Sequence, residues 1–305
     1  MEQKISDNVK KGRYSLKLSS VSFDAYINKD GKWTDYLLSD KIIFSHRVND
    51  YSSQELPERL HAHPYYELSI PITDRGIEYI SDDRALLVHR GMVILSKPMQ
   101  FHMFRLSEPL RYDRFVIYFR DLNGFFPDKR TLDLLSMGNR TCAVFKLPEH
   151  TLLSYMGAIE RALSNATSPY SSAKAILSVF ELLLALSEQN AVNESNSYTH
   201  PSTFISEIKK YIDENFLSIH SVEDLTKHFF YSREYISRSF KQYYNTPIYE
   251  YILGRKMLNC EMLLKQGASV EDSARESGFF NMSSFIKLFR KLYGCTPSQY
   301  KKKQR

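Results

Sequence analysis

Four side chains in the first third of the chain have the chemistry of ligands. His61-x-His63-x3-Glu67 lies in LHAHPYYELSIPITDRG, and Pro98-x3-His102 follows Gly91 in MVILSKPMQFHMF. Imidazole and carboxylate together suit Fe, Mn, Ni or Zn. Side chains at every second position of a strand share a face, so alternation would point His61, His63 and Glu67 into one lumen. The same residues could instead line a small-molecule pocket with Tyr65, Tyr66, Phe101, Phe104 and Arg105, or be ordinary core. Cys142, Cys260 and Cys295 are too few and too scattered for a disulfide framework or a cysteine metal cluster, and read as reduced thiols.

The elements that must carry these residues change character along the chain. At 305 residues there is room for two domains, each with its own core. Short runs such as YYELSIPIT, GIEYI, GMVILS and RFVIYF are dense in Tyr, Ile, Val and Phe and bounded by turn-like TDRG, SDDR and HRG. They predict a β-rich domain, a barrel or sandwich, within 1–147. LPEHTLLSYMGAIERALS and SSAKAILSVFELLLALSEQ follow, with Ile176, Val179, Phe180, Leu183 and Leu186 at helical spacing, and predict a helical segment over 148–190. Polar NAVNESNSYTHPS marks a linker over 191–202, and 203–305 reads as helical throughout. The chain has no run of about eighteen apolar residues and opens on MEQKISDNVKKGRYS, so neither a membrane span nor a signal peptide is expected.

Charge is partitioned. Residues 203–305 hold 17 Lys and Arg against 11 Asp and Glu, which is the entire surplus of +6. A basic last third behind a neutral body suggests a polyanion-binding module. That third contains one unit twice, SVEDLTKHFFYSREYISRSFKQYYNTP and SVEDSARESGFFNMSSFIKLFRKLYGCTP. Each opens on a capping Ser with two acids in the first helical turn. A tight turn and a second helix follow, capped by Ser232 in one copy and Asn281 in the other. Ile236 and Phe240 match Phe285 and Phe289, and Thr246-Pro247 matches Thr296-Pro297 as a stop. Helix, turn, helix of this length is the unit whose second helix enters a major groove. Between the copies, IYEYILGRKMLNCEMLLKQ puts Leu253, Met257, Cys260 and Leu264 on one stripe. About eighteen residues at 1.5 Å each give a connecting rod of roughly 27 Å. Two reading helices about one DNA turn apart, roughly 34 Å, would meet successive grooves.

The last hundred residues resemble the DNA-binding domain of the AraC/XylS family of bacterial transcription regulators. The resemblance rests on FISEIKKYIDENF, the two SVED units, Gly278-Phe279, and a closing G-x-T-P-x-x-Y at Gly294, Thr296, Pro297 and Tyr300. It departs at Thr226, where the family usually has alanine, and at Phe230, where the first turn often has glycine. The histidine motifs resemble those of cupin barrels, in which three histidines and one glutamate on neighbouring strands hold a divalent metal. AraC-type sensor domains resemble cupins and often use the barrel for a small ligand without metal.

These resemblances imply an α+β multidomain chain. It would have a cupin-like β-barrel sensor, a helical dimerisation segment, and a C-terminal all-α domain with two helix-turn-helix units. They imply a cytoplasmic, homodimeric regulator of transcription, an activator rather than a repressor, with promoter DNA, RNA polymerase and an effector as partners, no cofactor and no enzymatic activity. The rival is a metal-dependent cupin enzyme joined to a DNA-binding tail. A third reading is a ligand-independent regulator whose barrel only dimerises. Solvent-facing positions early in the second helices are the candidates for reading bases: Arg233, Glu234, Ser237 and Arg238, then Asn281, Met282, Ser283, Ile286 and Lys287. Arg238 is the strongest, since a guanidinium grips guanine O6 and N7 together, while Met282 and Ile286 would meet thymine methyls. Lys241, Arg255, Arg290 and Lys291 are expected on phosphates. The effector pocket is expected at His61, His63, Tyr65, Glu67 and His102, with His61, His63, Glu67 and His102 as the ligands of any metal.

Overall fold

The computed structural model describes residues 33–39, 41–50, 59–63, 65–73, 77–81, 84–98, 100–106, 111–119, 142–164, 168–189, 197–199 and 204–303. Residues 14–32, most of the expected linker and the end of the KKKQR tail lie outside them. The chain divides into two compact units, one over 21–210 and one that includes 211–305. Among the described residues, no helix is long and apolar enough to cross a membrane.

The first unit carries strands β1 (Trp33–Ser39), β2 (Ile42–Asp50), β3 (Tyr66–Pro71), β4 (Ile77–Ser81), β5 (Arg84–Val88), β6 (Met92–Ser96), β7 (His102–Leu106), β8 (Arg111–Phe119), β9 (Cys142–Lys146) and β10 (Ser197–Thr199). They form two antiparallel sheets, ordered β1-β2-β8-β3-β6-β9 and β10-β5-β4-β7. Where the cupin resemblance implied one barrel, the described strands make two open sheets, and neither order returns to its first strand. β10 falls inside the expected linker and pairs with β5, Ser197 to Leu86 and Thr199 to Arg84.

Strand alternation assigns each sheet face a separate core. On β6 and β8, Val93, Leu95, Phe115, Ile117 and Phe119 point to helices α1 (Glu149–Ser164) and α2 (Ser171–Ser187). Those helices answer with Leu152, Met156, Ile159, Val179, Leu182, Leu183 and Leu186. Met92 and Ile94 point the other way and pack with Ile77, Tyr79, Val88 and Phe104 of the second sheet. β6 is therefore buried on both faces and reads as a continuous apolar run, MVILS. The helices cover their own sheet, yet Leu177 and Leu184 of α2 stay 62% and 43% exposed.

In the second unit the helices are α3 (Phe204–Asn215, which starts before the boundary), α4 (Val222–Phe229), α5 (Arg233–Tyr244), α6 (Ile248–Lys265), α7 (Val270–Glu276), α8 (Met282–Tyr293) and α9 (Pro297–Lys303). α6 packs against α5, α7 and α9 and has the expected eighteen residues. Met257, Cys260 and Leu264 of its stripe are buried, with Leu253 partly so. Glu261 is wholly buried on α6. It is satisfied by the Tyr293 hydroxyl at 2.9 Å, the Tyr300 hydroxyl and Lys265 at 2.8 Å. The closing G-x-T-P-x-x-Y thus ends on a hydrogen bond into the connecting helix.

Candidate functional site

His61 precedes β3, Glu67 lies on it, and His102 opens β7. The N–H groups of His61 and His102 donate to each other's carbonyls at 3.0 and 2.8 Å, which stitches the two segments together. This brings His61, His63, Glu67 and His102 into one group whose ligand atoms all lie within 4.8 Å of one another. With bonds of about 2.1 Å, ligand atoms on one metal sit about 3.4 Å apart in a tetrahedral site and at most about 4.2 Å apart in an octahedral one, so the group would contract around an ion.

Hydrogen bonds to backbone carbonyls fix the imidazole tautomers. His61 Nδ1 lies 2.8 Å from the Arg59 carbonyl, His63 Nδ1 3.2 Å from that of Tyr65, and His102 Nδ1 2.9 Å from that of Gln100. A carbonyl only accepts, so each Nδ1 is assigned the proton and each neutral ring keeps its lone pair on Nε2. Yet His63 and His102 aim Nε2 at Glu67 Oε2, at 2.8 and 3.3 Å. Lone pairs facing a carboxylate oxygen need a cation between them, a proton or a metal. Backbone carbonyls behind imidazoles are also the usual means of orienting metal ligands.

Electrostatics favour neutral His61 and His63 beside an ionised Glu67. Burial, then the charges of His102 and His63, hold His61 well below the ordinary histidine range. Burial also lowers His63 against the opposing pull of Glu67. Burial disfavours the Glu67 anion, but its histidine neighbours outweigh this and keep it well below the usual carboxylate range. Ser69, which sequence reasoning missed, donates to Glu67 Oε1 at 2.6 Å. Its place two residues along the same strand face was the available signal. Tyr65 is buried beside His63, whereas Tyr66 stacks on Phe119 toward the helices and does not join the group. Arg105 is ion-paired to Glu78.

The two repeats fold alike. The Ser221 and His220 N–H groups donate to Asp224, and Ser269 accepts from the Asp272 N–H at 3.0 Å, so α4 and α7 open on capped turns. α4 ends on Phe230 and the α7 turn passes through Gly278, both left-handed. Ser232 then accepts from the Tyr235 N–H at 3.2 Å and Asn281 from that of Ser284 at 2.9 Å, the caps read from sequence. Ile236, Phe240 and Tyr244 bury one stripe of α5, as Phe285, Phe289 and Tyr293 do on α8.

The opposite stripes face solvent. On α5 they present Arg233, Glu234, Arg238 and Lys241, with Ser237 half-buried. On α8 they present Ser283, Ile286, Lys287, Arg290 and Lys291, with Met282 half-buried and no acid in the helix. Arg233, Asn281 and Arg255 have other work. Arg233 holds Glu223 at 2.7 Å across the helix pair. Asn281 spends its side-chain carbonyl on the cap. Arg255, expected on phosphate, turns inward to Asp213 at 3.2 Å and over the Phe216 ring, because its place on α6 faces α3 rather than solvent.

A family model described as a helix-turn-helix domain matches residues 225–303. The chain is 31% identical over 101 residues to the HTH-type transcriptional activator AarP of Providencia stuartii, covering 33% of this chain and 75% of that protein. The chain belongs to the AraC/XylS family of transcription regulators. As a family member it is also 31% identical over 144 residues to the Msm operon regulatory protein of Streptococcus mutans, covering 45% of this chain and 51% of that one. To the HTH-type transcriptional activator RhaR of Mannheimia succiniciproducens it is 22% identical over 254 residues, covering 80% and 87%. It spans about half the length, or less, of the first curated relatives it matches. The AraC/XylS resemblance drawn from the SVED units thus holds, and both repeats fall within or across the matched region.

Proposed function

We propose that this protein is a sequence-specific DNA-binding transcription regulator, an activator working as a homodimer, with α5 and α8 in successive major grooves. The observation that carries this reading is the duplicated geometry: two helix pairs of one build, joined by the eighteen-residue α6, each turning a polar, cationic stripe outward. Arg238 and Ser237 on α5, and Met282, Ser283, Ile286 and Lys287 on α8, read bases. Arg233, Glu234 and Asn281 flank them at the helix N-termini. Lys241, Arg290 and Lys291 hold phosphates. Activation is favoured because AarP and RhaR are named activators, and such a regulator would meet RNA polymerase at the promoter. A second copy is favoured by the exposed Leu177 and Leu184 on α2.

In this reading residues 1–147 sense, 148–190 dimerise, 191–202 connect and 203–305 bind DNA. The sensor's ligand is a divalent transition cation held by His61, His63, Glu67 and His102, supported by the lone pairs converging on Glu67. Fluorescence anisotropy with the duplex upstream of its own gene, repeated across salt, tests the DNA claim. Affinity should fall steeply as salt rises, because bound cations displace counterions. A folded protein with no duplex affinity at low salt overturns it.

A further inference from the structure

Where α1 and α2 meet, a cleft of about 320 Å³ opens beside the start of α2. Arg161 and Ala162 line it from α1, and Ser171, Lys174 and Ser178 line it from α2, with Ser168 in the connection. Positions 171, 174 and 178 recur at helical spacing and form one stripe, so the lining follows from helix geometry. The apolar stripes of both helices are committed to the sheet.

The chemistry of the lining selects its occupant. Among the described residues neither Arg161 nor Lys174 has an ion-pair partner, and both are exposed. Ser178 is 9% exposed, has no hydrogen-bond partner among the described residues, and lines the cleft. The helix start adds to this. The N-cap of α2 is Tyr170, which offers no capping side chain, and its first turn has no acid, so the positive end of the helix is uncompensated. An apolar ligand would cover the Ser178 hydroxyl without giving it a partner, and a cation would be repelled. An anion that accepts hydrogen bonds satisfies all of them. The volume is at the lower end of small-molecule sites, about 300–1,000 Å³, and leaves room beyond a phosphate group.

We propose that the α1–α2 cleft binds a small phosphomonoester, with its phosphate on Arg161, Lys174 and Ser178 and the rest of the molecule over Ala162. The site uses none of the residues of the histidine cluster or the DNA-reading stripes, so it stands whether or not those readings hold.

Calorimetric titration of the full chain with glycerol 2-phosphate and with inorganic phosphate, at ionic strength held constant with sodium chloride, tests the proposal. Saturable binding is expected, tighter for the ester than for free phosphate. An Arg161→Gln/Lys174→Gln double variant should weaken it at least about tenfold, as loss of two charge-assisted contacts implies. Ser178→Ala should weaken it less. Circular dichroism checks folding, and the single Lys174→Gln and Ser178→Ala variants decide the matter if the double variant does not fold. Equal affinity in wild type and variants would put the anion elsewhere, on the basic helices for instance, and overturn the site. So would heats no different from chloride alone, or a double variant that changes oligomeric state while its phosphate affinity is unchanged.

Discussion

Phe230 and Gly278 occupy the same left-handed turn position in the two helix pairs, at φ 58° and 78°. Only glycine takes that conformation without cost; other residues lose about 1–2 kcal/mol there. Phe230 recovers little through packing, since it is 91% exposed. Phe230→Gly should therefore stabilise the helical unit, by up to about 1 kcal/mol once the greater chain entropy of glycine is subtracted. Gly278→Ala should do the opposite, by about 1–3 kcal/mol. Its added carbon would meet Lys256 Nζ at 3.1 Å and the Leu217 carbonyl at 3.2 Å. Urea midpoints at unchanged slope measure both.

Arg238 and Arg255 should separate cleanly by readout. Arg238→Ala should cost about 1–3 kcal/mol of DNA affinity and relax sequence preference at one half-site. Arg255→Ala should instead lower stability, because it removes a half-buried ion pair and leaves Asp213, which is 19% exposed, with the Tyr251 hydroxyl but without its cation. Anisotropy against a randomised operator, together with urea unfolding, distinguishes the two. A base-reading effect from Arg255→Ala in a fully stable protein would contradict the inward geometry.

His46 bridges sheet and helix, with Nε2 2.9 Å from Asp113 and Nδ1 2.8 Å from Glu160. The hydrogen bond to Asp113, opposed by burial and reinforced by the charges of Asp113 and Glu160, raises its pKa above 6.5. A raised folded pKa means that the bridge stabilises fully below about 6.5 and is lost as pH climbs through the folded value. The effect should be modest, since all three groups touch solvent. Urea midpoints between about pH 5.5 and 8.5 should decline in wild type and decline less in His46→Gln.

The histidine cluster predicts a metal-dependent stability. Adding Zn²⁺, Ni²⁺ or Mn²⁺ should raise the melting temperature of the β-rich unit, by about 2.7 kcal/mol of stability at a hundredfold excess over Kd. A chelator should reverse it, and His63→Ala or His102→Ala should abolish it. Ser69→Ala removes a hydrogen bond to Glu67 without touching a ligand and should weaken metal affinity about 10–100-fold. Elemental analysis and thermal melts read this out.

Much of the helical unit was legible from residue order because its determinants are local. Caps act on N–H groups two or three residues away, and a stripe such as Phe285, Phe289 and Tyr293 is set by the helical repeat itself. The exception there was Arg255, whose partner Asp213 is forty-two positions distant. In the β-rich unit only some of the strands and the candidate ligands could be read. Their arrangement in two sheets, the opposite outlook of Tyr65 and Tyr66, and the contribution of Ser69 could not.

By itself, then, the order of amino acids determined the helices and several of the strands, the duplicated unit, the family and which residues were capable of ligation, but not β10. Tertiary structure alone decided which of them meet. It brought His102 to His61 across forty-one positions, paired Arg233 with Glu223, laid α1 and α2 over their own sheet and left a polar cleft between them. The physical reason is range. Hydrogen bonds within a turn and the period of a helix are encoded in adjacent residues, whereas strand partners and interhelical gaps depend on how the whole chain excludes water and fills its core.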